Sequence, residues 1–134
     1  MRNFAIAIAC TALVACNTGA GDSAESEQAA PDAAPVMAAD GALPEGRYRA
    51  VSESGVVLIE ELRADGTYAF SDEAGAVFEE GTYEQRSPER LCFIASTQGA
   101  EEICYAEEIG DDGVWRTTDP NTGEVSVVER IDAE

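Results

Sequence analysis

RLCFIASTQGAEEICYAE, residues 90–107, is the stretch whose reading decides the fold. Its flanks, RLCFIAS (90–96) and EEICYAE (101–107), carry β-branched and aromatic residues without a helical period, so each reads as a strand. TQG (97–99) between them supplies a three-residue loop, with Gly99 able to take a left-handed conformation. Placing Cys92 opposite Cys104 sets Phe93 against Ile103 and Leu91 against Tyr105. Side chains alternate faces along a strand. Four apolar residues therefore share one face of this hairpin and both sulfurs share the other.

The same grammar extends outward in both directions. Strands are expected near 46–52, 56–63, 67–72, 76–85, 90–96, 101–107, 114–118 and 125–131. The connections SESG, ADG, DEAG, RSPE, TQG, the IGDDG region and DPNTGE are all short, and no helical segment intervenes. The expected fold is all-β: an antiparallel meander of about eight short strands forming a small barrel or a sandwich. It occupies residues 44–134, enough for one domain with a thin core. Ahead of it, residues 17–43 hold nine alanines, five acids and two prolines with no basic or aromatic residue. Such a segment cannot bury enough apolar surface to offset chain entropy, so 16–43 is expected to be a disordered tether. EGRY (45–48), DGTY (65–68) and EGTY (80–83) form a weak internal echo. Acid–Gly pairs make turns and bulges and Tyr favours pleated surfaces. The alternative is that Tyr48, Tyr68 and Tyr83 line a ligand mouth.

The amino-terminal segment has its own signature. Arg2 precedes an uncharged run from Phe4 to Ala15, too short at about 1.5 Å per residue for a bilayer core of roughly 30 Å. A basic start followed by a short apolar run is the pattern of a secretory signal peptide, expected over 1–15. LVAC (13–16) resembles the lipobox of bacterial lipoproteins: Leu13, Val14, a small Ala15, then Cys16. That resemblance implies a diacylglycerol thioether on Cys16 and cleavage between Ala15 and Cys16, with palmitate-type acylation of the new amino group in many Gram-negative members. Two or three chains at about 0.8 kcal/mol per buried CH₂ anchor firmly. Asn17 follows the acceptor in place of the Asp that retains such proteins in the inner membrane of enteric bacteria. The resemblance therefore implies the cell envelope and, for a Gram-negative host, the periplasmic face of the outer membrane.

This processing would remove Cys10 with the leader and commit Cys16 to lipid. Cys92 and Cys104 remain, in an oxidising compartment where disulfides persist, and a Cys92–Cys104 disulfide is expected. Zinc is a poor alternative, because the chain has no histidine to join two thiols. The DGTY and EGTY rhythm also looks like that of calycin-type small bacterial lipoproteins, whose domains are meandering barrels. Lipocalins carry G-x-W on the first strand. Here Gly113-Val114-Trp115 falls near the end, so no functional residue carries over. Trp115 reads as a core anchor, with Arg116 projecting to the opposite face.

Charge narrows the function classes. The chain has a formal net charge of −19, and residues 44–134 hold 22 acids against seven arginines. Such a surface opposes phosphates and anionic headgroups, so nucleic acid is not an expected partner and membrane contact falls to the lipid on Cys16. Without histidine or lysine, serine has no ordinary base, and no G-x-S-x-G or phosphate-cradling glycine loop appears. Glu60-Glu61, Glu79-Glu80 and Glu107-Glu108 are adjacent pairs whose members point to opposite faces, unlike a glycosidase dyad. DPNTGE reads as a hairpin turn and lacks the spacing of a calcium loop. The expectation is a non-catalytic binding module without metal or cofactor. The sequence leaves its ligand open between a small apolar molecule and a cationic protein; the alternatives to a ligand-binding module are an inhibitor of a cationic enzyme and an envelope spacer with no ligand.

Overall fold

Turn residues and two-residue alternation deliver eight strands: β1 (Gly46–Ser52), β2 (Val57–Leu62), β3 (Thr67–Ser71), β4 (Val77–Ser87), β5 (Arg90–Ala95), β6 (Ile103–Ile109), β7 (Trp115–Thr118) and β8 (Val125–Arg130). The computed structural model describes residues 33–131. The strands follow chain order around a closed antiparallel barrel. Its seam joins β1 to β8 from Tyr48↔Arg130 to Ser52↔Ser126. Closure leaves no row of unpaired backbone groups, which explains how so short a meander avoids an exposed edge.

Cys92 and Cys104 are direct cross-strand partners and are joined by a disulfide. Leu91↔Tyr105 and Phe93↔Ile103 fall in the register read from sequence. The loop does not. Pairing between β5 and β6 stops at Phe93↔Ile103, while Ile94 and Ala95 stay paired to Thr82 and Gly81 of β4. The β5–β6 loop therefore spans 96–102 rather than three residues. Ser96 N–H donates to the Glu80 carbonyl, and Arg86 on β4 holds Glu102 at 2.7 Å. Coiling of β5 towards β4 wins over extension of the hairpin.

The core forms from the inward positions: Tyr48, Leu62, Tyr68, Phe70, Leu91, Phe93 and Trp115. Phe93 is its hub, with ring centroids of Tyr68 at 4.9 Å, Phe70 at 5.2 Å and Tyr105 at 5.7 Å, all edge-on. Such pairs contribute about 0.5–1.5 kcal/mol each beyond their buried area. The acid–Gly–x–Tyr echo has a packing cause at two of its glycines. A Cβ on Gly81 would collide with the Ile94 carbonyl and lie 2.8 Å from the Tyr68 ring. At Gly46 a Cβ would lie 2.6 Å from the Arg130 guanidinium.

Packing also moves the domain boundary. Composition places it at residue 44, yet the compact unit that holds the barrel reaches back to Pro35. Ala38 is 2 % exposed and belongs to the core cluster, beside Tyr48 and Trp115. A turn from Ala38 to Ala42 presents Asp40 to Arg130, with Nε–Oδ2 at 2.7 Å and Nη2–Oδ1 at 3.1 Å. Arg130 also donates to the carbonyls of Leu43 and Glu45 and stacks 4.7 Å over the Tyr48 ring. Composition misses this strap because one small side chain and one acid, paired 90 residues away, suffice to hold it. The expected leader 1–15, the Ala15–Cys16 junction and the tether up to residue 32 lie outside the described residues. No helix of the described residues is long and apolar enough to cross a membrane.

Candidate binding cavity

Hairpin loops of a meander alternate between the two barrel ends. One end carries the β2–β3, β4–β5 and β6–β7 loops and is filled by Ala38 over Tyr48 and Trp115. The other carries the β1–β2, β3–β4, β5–β6 and β7–β8 loops, and between the two ends runs a cavity of ≈ 290 Å³. Leu58, Phe70, Leu91, Phe93, Tyr105 and Val128 form its apolar wall. Ser52, Val56, Asp119, Glu124 and Ser126 surround the mouth.

Two acids stand in this apolar wall. In VLIEEL, Leu58, Glu60 and Leu62 occupy alternate positions of β2, so Glu60 is carried inward with its leucine neighbours. Glu61 turns outward to Arg63 at 2.8 Å. On β6 the same alternation turns Tyr105 and Glu107 inward and leaves Glu108 exposed. Glu107 is 5 % exposed; Glu60 is enclosed by protein yet keeps part of its surface towards the cavity. Burial pushes Glu60 up to about 8, and the charge of Glu107 adds to the shift. Burial likewise raises Glu107 to about 7, opposed by a hydrogen bond from Gln85.

Gln85 reaches Glu107 because β4 is bulged between Gln85 and Ser87. Its Nε2 donates to the Ser87 carbonyl at 2.7 Å and to Glu107 Oε2 at 3.3 Å. Its Oε1 is buried without a partner, as is Trp115 Nε1, and both residues line the cavity. A buried polar atom left unpaired costs about 1–3 kcal/mol, so these two atoms are candidate ligand or water contacts.

Of the three tyrosines singled out by the echo, only Tyr48 lines the cavity, with its hydroxyl bound to the Pro44 carbonyl. Tyr68 spends its hydroxyl on Glu79 at 2.7 Å and Tyr83 on the Arg63 carbonyl at 2.8 Å. Both lie outside the lining and brace neighbouring hairpins. Tyr105, set on the apolar face of its hairpin by the register, takes a wall position. DPNTGE is a turn: Asp119 Oδ1 accepts from the Asn121 and Thr122 backbone N–H groups. Arg116 points outward onto Asp112 at 2.6 Å.

No family model, curated protein or solved structure matches this chain. The closed eight-stranded antiparallel barrel is compatible with a calycin-like architecture, and the chemistry must be read from the cavity itself. Glu60-Glu61 and Glu107-Glu108 do point to opposite faces, as their spacing requires. The barrel nevertheless brings the inward member of one pair, Glu60, into the same cavity as the inward member of another, Glu107. Leu–x–Glu–x–Leu alternation in β2 is the sequence signal for the first. No local signal reports that β2 and β6 share an interior. The only three-residue cluster of potential metal ligands among the described residues is Cys92, Glu102 and Cys104, whose sulfurs are bonded to each other.

Proposed function

We propose that this chain is a lipid-anchored protein of the bacterial cell envelope whose acidic barrel binds a small molecule without transforming it. The supporting observation is the cavity: apolar walls, one open end and a few convergent polar groups are the usual features of a small-ligand site. At ≈ 290 Å³ it suits a ligand of roughly ten to fifteen non-hydrogen atoms better than a long acyl chain. The lipobox-like LVAC supports attachment through Cys16 after cleavage at Ala15, and the acidic surface favours lipid over direct contact with anionic headgroups. A second reading, docking onto a cationic protein, draws on Val77 and Phe78, which stand exposed on β4 beside the outward acids.

Native mass spectrometry of the full chain extracted from envelope membranes tests the reading. The expected result is a retained small molecule, together with loss of membrane partitioning in Cys16→Ser. Recovery of a stoichiometric cationic protein and no small molecule would replace the first reading with the second.

A further inference from the structure

Resting on the reading of the barrel as a ligand-binding module, we infer that its occupant is an organic cation: a protonated amine on a small apolar body, with the ammonium lodged by Glu60 and Glu107. Four features of the cavity converge on this class. Glu60 and Glu107 are the two acids of its interior, and no described arginine lines it. Five arginines are engaged elsewhere, on Glu73, Glu61, Glu84 with Glu102, Asp112 and Asp40. The chain has no lysine or histidine, so among the described residues no side-chain cation lines the cavity beside this pair.

The second feature is Gln85 Oε1, an acceptor within a residue more than nine-tenths buried and without a partner. It lies on the side chain that already holds Glu107, so an N–H of the ammonium completes it. Phe70, Phe93, Tyr105 and Trp115 provide the third, since aromatic faces attract a desolvated cation. Fourth, Asp119 and Glu124 at the mouth draw positive ligands inward. A hard divalent ion fits less well, because it needs six or more oxygen ligands and gains nothing from aromatic walls.

Binding is coupled to proton release. Glu60 and Glu107 hold protons near neutrality, and an ammonium favours their ionised forms. The groups that face this pair are Tyr48 from β1, Gln85 from β4, Tyr105 from β6, Asp119 and Glu124 from the mouth, and Asp40 from the strap, itself bound by Arg130 of β8. β3 and β5 contribute the uncharged Phe70, Leu91 and Phe93. Affinity for an amine therefore rises between pH 5 and 8.

Trp115 is the chain's single tryptophan and lines the cavity, so its fluorescence reads occupancy directly. The full chain is titrated with 2-phenylethylamine, 2-phenylethanol and 3-phenylpropanoate, and separately with calcium chloride, with calorimetry as a second readout. The amine is expected to bind at least tenfold more tightly than the alcohol at pH 8, more weakly at pH 5, and the carboxylate not at all. Glu60→Gln with Glu107→Gln is expected to abolish that preference, so that amine and alcohol bind alike. Removing buried charge favours folding, and alcohol binding certifies an intact cavity. Equal affinity for amine and alcohol overturns the organic cation and leaves the ligand cavity standing. Saturation by calcium without amine binding overturns it in favour of a metal. Silence towards every probe overturns both this inference and the reading on which it rests.

Discussion

Glu60→Gln tests the energetics of the cavity in the ligand-free protein. The folded carboxyl holds its proton up to about 8, against an ordinary value of 4.5. The folded state thus binds more protons than the unfolded state between these limits, and stability falls as pH rises through the window, levelling above about 8. At pH 7.5 the unfolded carboxyl is ionised and the folded one is mostly neutral. At about 1.36 kcal/mol per pH unit this costs the fold as much as ~4 kcal/mol. Water in the cavity and local relaxation reduce such penalties, so about 2 kcal/mol is the working figure. Glutamine conserves volume and removes the charge. The variant should gain about 2 kcal/mol at pH 7.5, roughly 10 °C in Tm for a domain of this size, and gain little at pH 4.5. Urea unfolding of the full chain followed by Trp115 fluorescence at both pH values measures it, with Glu53→Gln, an exposed acid, as the control for net charge. A Glu60→Gln protein that is less stable at pH 7.5, or that matches Glu53→Gln at both pH values, would refute the reasoning.

Three further outcomes follow from the packing. Arg130→Ala removes the paired contact to Asp40, two carbonyl hydrogen bonds and the stack on Tyr48, and should destabilise by about 2–3 kcal/mol in urea unfolding. Because Arg130 holds the Asp40 carboxyl below its usual range, chiefly by hydrogen bonding, Asp40→Asn should cost stability at pH 7 and progressively less as pH falls through that lowered value. Cys92→Ser with Cys104→Ser opens a constraint of 12 residues and should cost about 3 kcal/mol. Equal denaturation midpoints for oxidised and reduced wild-type protein would contradict that figure.

Much of the barrel was legible because its information is local. Alternation, β-branching and turn residues set the eight strands to within a residue or two at most ends, and the Cys92–Cys104 register followed from apolar residues sharing a face. The misreadings share one cause. The β5–β6 loop is longer than its turn residues imply because Ile94 and Ala95 are claimed by β4, a neighbour on the opposite flank. The boundary at residue 44 fails because Ala38 and Asp40 are held by residues at the far end of the chain. Tyrosines are equally at home in a wall and in a brace, so the echo alone does not separate Tyr48 from Tyr68 and Tyr83.

By itself, then, the sequence determined the strand count, the all-β class, the disulfide and which face each residue takes, since all four depend on neighbours along one strand or one hairpin. Closure decided the rest. Barrel against sandwich, the filled end against the open one, and the meeting of Glu60 with Glu107 depend on which strands become neighbours after β1 joins β8. Local periodicity turns an acid inward; only the closed interior determines what that acid faces there.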